Sequence, residues 1–132
     1  MNIFSGKISN IEVSKSLSLV SVKIGTTELK VIVVETPDTA LYLTRGTTVD
    51  LVFKETEVIV ATAVLSPISI QNKIKGSIRD IEQGIILSKV CISSDIGDIT
   101  AIVPTEALSQ MELIEDQQVV VMVKVNEIMI SG

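Results

Sequence analysis

Asn72-Lys73-Ile74-Lys75-Gly76-Ser77-Ile78-Arg79-Asp80-Ile81-Glu82 lies over Asn2-Ile3-Phe4-Ser5-Gly6-Lys7-Ile8-Ser9-Asn10-Ile11-Glu12 when the chain is slid against itself by 70 residues. The Asn, the Gly, two Ile and the Glu coincide without a gap. Carried on to residue 62, the offset gives 14 identities. Beyond those five they are Leu17/Leu87, Ser18/Ser88, Val20/Val90, Ile32/Ile102, Val33/Val103, Leu43/Leu113, Val49/Val119, Lys54/Lys124 and Glu57/Glu127. Elsewhere one aliphatic replaces another, as at Val22/Ile92 and Val58/Ile128. Two unrelated aliphatic strands would need gaps to stay in phase, and would not keep a Gly, an Asn and a Lys at one offset. A fixed period is the mark of a repeated structural unit. The boundaries it predicts are 1–66 and 67–132.

Each copy reads as five strands. The first covers Phe4 to Val13 and Ile74 to Glu82, and the second Leu17 to Ile24 and Ile86 to Ser93. The third covers Leu29 to Val34 and Ile99 to Val103, the fourth Val49 to Lys54 and Val119 to Val125. The fifth covers Val58 to Leu65 and Ile128 to Ser131. β-branched residues dominate these runs, and Gly25, Arg45-Gly46, Asp95 to Asp98 and Glu115-Asp116 punctuate them as turns. Between strands three and four the period changes. Pro37 to Leu43 and Thr105 to Met111 read as one or two helical turns, with Thr36 and Thr105 as N-caps. The expected fold is all-β: two tandem OB-like five-stranded barrels, each with a short helix between strands 3 and 4. A unit of this size is marginal alone because it buries little surface, so the copies, joined through Ser66-Pro67, are expected to pack against each other or against other chains.

Composition removes several function classes. The chain is 46% hydrophobic but only 2% aromatic, so its core must be Val, Ile and Leu. It carries 11 basic and 16 acidic residues, a net −5. Nucleic acid calls for a basic face and stacking rings, so it is not an expected partner. No apolar run reaches membrane-spanning length and no leader pattern opens the chain, so a cytoplasmic protein without a membrane partner is expected. One Cys and no His leave no disulfide framework, no zinc site and no expected protein-ligated metal ion. Without His, a phosphate-cradling loop or a nucleophile elbow, no enzyme is expected. A mean hydropathy of +0.52 favours an oligomer with apolar interfaces, a dense core being the alternative.

The repeat resembles the Mop domain, also classed with TOBE domains, and two copies in one chain look like tandem Mop molybdate-binding proteins. The resemblance is carried by Ser69-Ile70-Gln71-Asn72 ahead of Gly76, with Asn2 ahead of Gly6 in the first copy. It continues through Gly6-x-Ile8, Ile11-Glu12 and Gly76-x-Ile78, Ile81-Glu82. It closes on Lys54-Glu55-Thr56-Glu57-Val58 and Lys124-Val125-Asn126-Glu127-Ile128. At other family positions this chain has Gln71 or Met1 for an Arg, Val34 and Pro104 for a Thr, and Pro37 and Ala107 for a Ser.

The resemblance implies non-catalytic binding, storage or homeostasis of molybdate or tungstate, the bound oxyanion standing where a cofactor would. The sites would be shared between subunits of a homotrimer or another closed homo-oligomer. A tetrahedral dianion is held by converging N–H and O–H donors with a modest positive charge. On that logic Lys54 and Lys124 supply charge. Ser69, Thr56 and Asn126 supply side-chain donors. Ile70, Gln71 and Asn72 supply amides, and Asn2, Thr36 and Thr105 complete the set. A second class stays open: a ligand-free TOBE-like module for oligomerisation or regulation of a transporter or transcription factor.

Overall fold

The computed structural model describes residues 1–63 and 67–132. Among them are ten strands: β1 Asn2–Ser14, β2 Leu17–Ile24, β3 Thr27–Val33, β4 Thr48–Phe53, β5 Ile59–Ala61, β6 Asn72–Glu82, β7 Leu87–Ser94, β8 Gly97–Pro104, β9 Gln118–Val123 and β10 Met129–Ser131. One helix, α1 Thr105–Gln110, lies between β8 and β9. Ser66 of the expected joint, and Val64 and Leu65 of the expected fifth strand, lie outside the described residues.

The strands form two antiparallel sheets, ordered β10-β4-β1-β2-β3 and β5-β9-β6-β7-β8. Each sheet thus takes its fifth strand from the other half of the sequence. Met129 pairs with Val52 and Ile130 with Leu51, while Ile59 pairs with Met122 and Val60 with Val121. The two sets of pairs differ by 70 in both members, so the exchange is reciprocal and pseudo-symmetric. Even the irregularities repeat: β1 bulges between Ile8 and Asn10, β6 between Ile78 and Asp80.

Alternation explains which faces are buried. β4 reads exposed-buried-exposed-buried from Thr48 to Leu51, then ends on a buried Phe53. β9 matches it with Val119, Val121 and Val123 inward. Side chains from both halves merge into one core, which includes Val20, Val31 and Leu51 with Val90, Ile99 and Val121. The β-branched majority has little rotamer freedom to lose on burial. Phe53 is its one buried aromatic, stacked on Phe4 with ring centroids 5.9 Å apart.

Gly6 and Gly76 stand where β1 approaches β2 and β6 approaches β7. A Cβ at Gly6 would lie 2.6 Å from the Lys23 carbonyl oxygen, and one at Gly76 2.7 Å from that of Ser93. No side chain fits in that space, which accounts for a Gly at both positions.

The helical turns are not equivalent, which corrects the expectation of a helix in each copy. Residues 36–43 of the first half form turns without a helix. There the Thr39 hydroxyl accepts from Thr36 N–H at 2.9 Å, and the Thr36 carbonyl accepts from the amides of Thr39 and Ala40. Such local side-chain bonds compete with helix. The second half has Glu106, Ala107, Leu108 and Gln110, better helix formers, at the matching place. Thr105 is the first residue of α1 rather than its cap, and Pro104 holds the N-cap position with no side-chain cap bond. Cys91 on β7 is a free thiol, half-buried.

Candidate oxyanion-binding surface

The two links from the fourth to the fifth strands cross between the sheets and carry charged residues. Lys54 precedes a single turn of 3-10 helix, Glu55–Glu57, closed by Glu57 N–H donating to the Lys54 carbonyl at 3.0 Å. Lys124 to Glu127 close the same turn, also at 3.0 Å. Buried side chains pin both ends: Phe53 and Val58 around the first, Val123 and Ile128 around the second. The residues between must face outward, and Lys54, Thr56, Lys124 and Asn126 are all exposed.

Strand exchange brings these turns against the opposite half. Ile32 N–H of β3 donates to the Val125 carbonyl at 3.0 Å. The turn at Glu55–Glu57 packs on β8. By the register of the exchanged strands the two turns lie side by side, Met129 facing Val52 next to the first and Ile59 facing Met122 next to the second. Hydrogen bonding toward the Glu127 carboxyl, then desolvation and the Glu127 charge, raise the Glu57 pKa above the ordinary value, while Lys54 opposes the rise. The repeat contained both turns, but nothing in the sequence said that two segments 70 residues apart would lie side by side.

Thr56 also lines an apolar groove of about 250 Å³ with Ile102, Pro104, Ala107, Leu108 and Met111. It therefore sits beside the entrance to α1. Thr105 does not offer its donors there. It is buried, its hydroxyl bonds Ser88 Oγ at 2.7 Å and the Gly84 carbonyl at 3.0 Å, and its amide donates to the Ile86 carbonyl at 2.8 Å. Thr36 is half-buried in its own turn with Thr39.

Asn2 and Asn72 are buried, and their side chains are engaged elsewhere. Asn72 bonds both backbone groups of Lys30, and Asn2 both of Thr100. Both β3 and β8 are sheet edges, whose open backbone groups invite pairing. Each Asn covers the edge strand of the other half. Asn72 sits opposite Val123 in the ladder, which brings Gln71 toward the Lys124 turn. Ser69 and Gln71 are exposed and Ile70 half-buried. Met1 occupies the matching place in the first half, its ammonium 3.9 Å from Glu55.

Strand exchange thus sets the turn of Lys54 and Thr56 beside the turn of Lys124 and Asn126, and Asn72 lies opposite Val123 just before the second turn. Thr36, Thr105 and the Asn side chains serve the scaffold in this conformation. A wider, open depression of about 590 Å³, lined by Ser5, Lys7, Ser9, Lys23 and Thr48, contains none of the expected residues. Among the described residues no three His, Cys, Asp or Glu side chains group as a metal site would require, and no helix is long and apolar enough to cross a membrane.

No protein-family model matches the chain, and no curated protein matches it significantly. Solved structures do. MopII from Clostridium pasteurianum overlaps 44% of this chain and 88% of its own, at 22% identity and a TM-score of 0.42. A structure of the cytoplasmic molybdate-binding protein ModG, with molybdate bound, overlaps 98% of this chain and 94% of its own, at 24% identity and a TM-score of 0.91. The chain shares the fold of ModG over nearly its whole length.

Proposed function

We propose that this protein binds molybdate or tungstate without catalysis, as a cytoplasmic store or homeostatic buffer. The carrying observation is that strand exchange sets side by side two turns whose exposed residues are two lysines and the neutral donors Thr56 and Asn126. The molybdate bound by the protein of like fold supports the reading. In this reading residues 1–66 and 67–132 descend from one OB-like Mop unit. Lys54 and Lys124 give the charge, and Thr56, Asn126, Ser69 and the amides of 70–72 the donors. The exposed junction is completed by another subunit of a homotrimer or other closed ring.

Thermal melting with added anions tests it. A ligand at about 100 times its dissociation constant adds about 2.7 kcal/mol to stability. Molybdate and tungstate are expected to raise the melting temperature, with sulfate and phosphate doing far less. Lys124→Ala is expected to abolish the shift while leaving the fold intact. No shift with any oxyanion sinks the reading. A ligand-free TOBE-like oligomerisation or regulatory module is the second reading. It is favoured by the spent donors of Asn2, Asn72 and Thr105 and by the acidic residues Glu55, Glu57 and Glu127 on the two turns.

A further inference from the structure

The open depression of about 590 Å³ has a volume usual for a small-molecule cleft. It lies away from the lysine turns. In the β1–β4 ladder Lys7 pairs with Thr48 and Asn2 with Phe53, so Lys7 and the first turn stand about 17 Å apart along the strands. Lys7 is also directly opposite Lys23 in the β1–β2 ladder, and both line the depression. Like charges directly opposite one another destabilise a sheet. Among the described residues neither lysine is ion-paired. Glu28, opposite Lys23 in the β2–β3 ladder, pairs with Lys30 at 3.5 Å instead. Asp50, two residues along β4 from Thr48, accepts from the Ser5 hydroxyl.

The second half shows that the fold does not need these charges. At the same register β6 and β7 oppose Ser77 to Ser93. Asp95 and Asp116 stand there at the places of Gly25 and Gly46, which line the first-half depression. A Cβ at either glycine would meet nothing within 4 Å, so the rim is open on that side. Ser5 and Ser9 are replaced by Lys75 and Arg79, the latter bonded to Asp98 at 2.6 Å. The first-half lining thus carries two positive charges and no acid, while its counterpart carries two of each sign.

We propose that this depression is a second ligand site, for a small phosphorylated polyol such as a sugar phosphate, with the phosphoryl group held between Lys7 and Lys23. A dianion placed between the two ammonium groups replaces their repulsion with charge-assisted hydrogen bonds. Lysine suits this as a point charge on a flexible stem. The volume leaves room for an organic remainder beside the phosphoryl group. Among the described residues no aromatic ring lines the depression, so nothing there stacks on a base. Ser9, Thr48 and the bonded pair of Ser5 and Asp50 offer partners to ligand hydroxyls instead. This site goes beyond the oxyanion reading and does not depend on it.

Calorimetric titration of the full chain with ribose 5-phosphate, ribose and inorganic phosphate tests this. The double variant Lys7→Ser/Lys23→Ser, which installs the serine pair of the second half, is titrated beside it. The wild type is expected to bind ribose 5-phosphate about tenfold or more tighter than inorganic phosphate, and not to bind ribose. The double variant is expected to lose about 10- to 100-fold in affinity for ribose 5-phosphate. No binding of ribose 5-phosphate by the wild type overturns the proposal, as does binding that survives unchanged in the double variant. Equal affinity for ribose 5-phosphate and inorganic phosphate overturns the assignment to a polyol phosphate. Without ligand the double variant, freed of the repulsion, is expected to melt no lower than the wild type. A lower melting temperature would mean that the pair serves the fold, and counts against the site. Any melting shift that molybdate gives the wild type is expected to persist in the double variant, and its loss would overturn the separation of the two sites. If molybdate gives no shift at all, the oxyanion reading fails while the sugar-phosphate titration still decides this proposal.

Discussion

The side chain of Asn72 closes a two-point ring on the backbone of Lys30, with Nδ2 donating to the carbonyl and Oδ1 accepting from the amide, both at 2.8 Å. Asn2 makes the same ring on Thr100, at 2.9 Å each. All four residues obey the 70-residue offset, so the contacts are one interaction made twice. Asn72→Ala leaves an amide and a carbonyl of a sheet edge without partners. The expected cost is about 2–4 kcal/mol, from two lost hydrogen bonds and partial desolvation of the orphaned groups. Urea unfolding measures it, and a loss below about 0.5 kcal/mol would show that water replaces the amide at no cost.

Gly76→Ala tests the close approach of β6 and β7. The added methyl meets the Ser93 carbonyl oxygen at 2.7 Å and Ile92 Cγ2 at the same distance. Strand separation or a shift of Ile92 should cost about 1–3 kcal/mol. Gly6→Ala should cost a similar amount, since Lys23 and Val22 crowd it in the same way. Unchanged melting temperatures for both variants would show that the strands part easily there.

Deleting Met129–Gly132 distinguishes exchanged from unexchanged strands. In the observed topology this removes β10 from β4 and bares residues 50–52 of the first half. Amide hydrogen exchange should then speed up in β4, by about tenfold for each 1.4 kcal/mol of local stability lost. Without exchange the same deletion would instead bare β9. Faster exchange confined to residues 120–122 would contradict the strand order.

Tyr42 is the sole tyrosine, so its near-ultraviolet absorbance reports one phenol. Its hydroxyl donates to Glu35 Oε1 at 2.7 Å. Burial, then that bond and the Glu35 charge, push its pKa up to about 12. The neutral phenol is the form the fold favours. Its contribution to stability is complete below pH about 10, the ordinary tyrosine value, and is lost as pH rises toward 12. Spectrophotometric titration should give a midpoint near 12, lowered in Glu35→Gln. A wild-type midpoint at the ordinary value would mean the bond to Glu35 does not persist in solution.

The residues alone determined the repeat, the ten strands and the aliphatic core. Those features rest on local physics: β-branched runs, alternation and turn residues act within a few positions of one another. The second strand of the first half, Leu17–Ile24, matches its expected bounds. The helix was legible in the second half, where Glu, Ala and Leu agree with it, and misread in the first, where hydroxyl bonds between Thr36 and Thr39 prevail. The lysine turns were legible as a recurring pair. That strand exchange sets the two turns side by side was not.

Only the tertiary structure decided which half each fifth strand joins. The link of residues 54–58 would serve a hairpin within one sheet as readily as a crossing to the other. Offset 70 gives β4 and β9 equivalent pairing edges, and nothing in the pattern prefers one over the other. The choice is made by the merged core and by the two Asn rings, which form only when both halves are folded together.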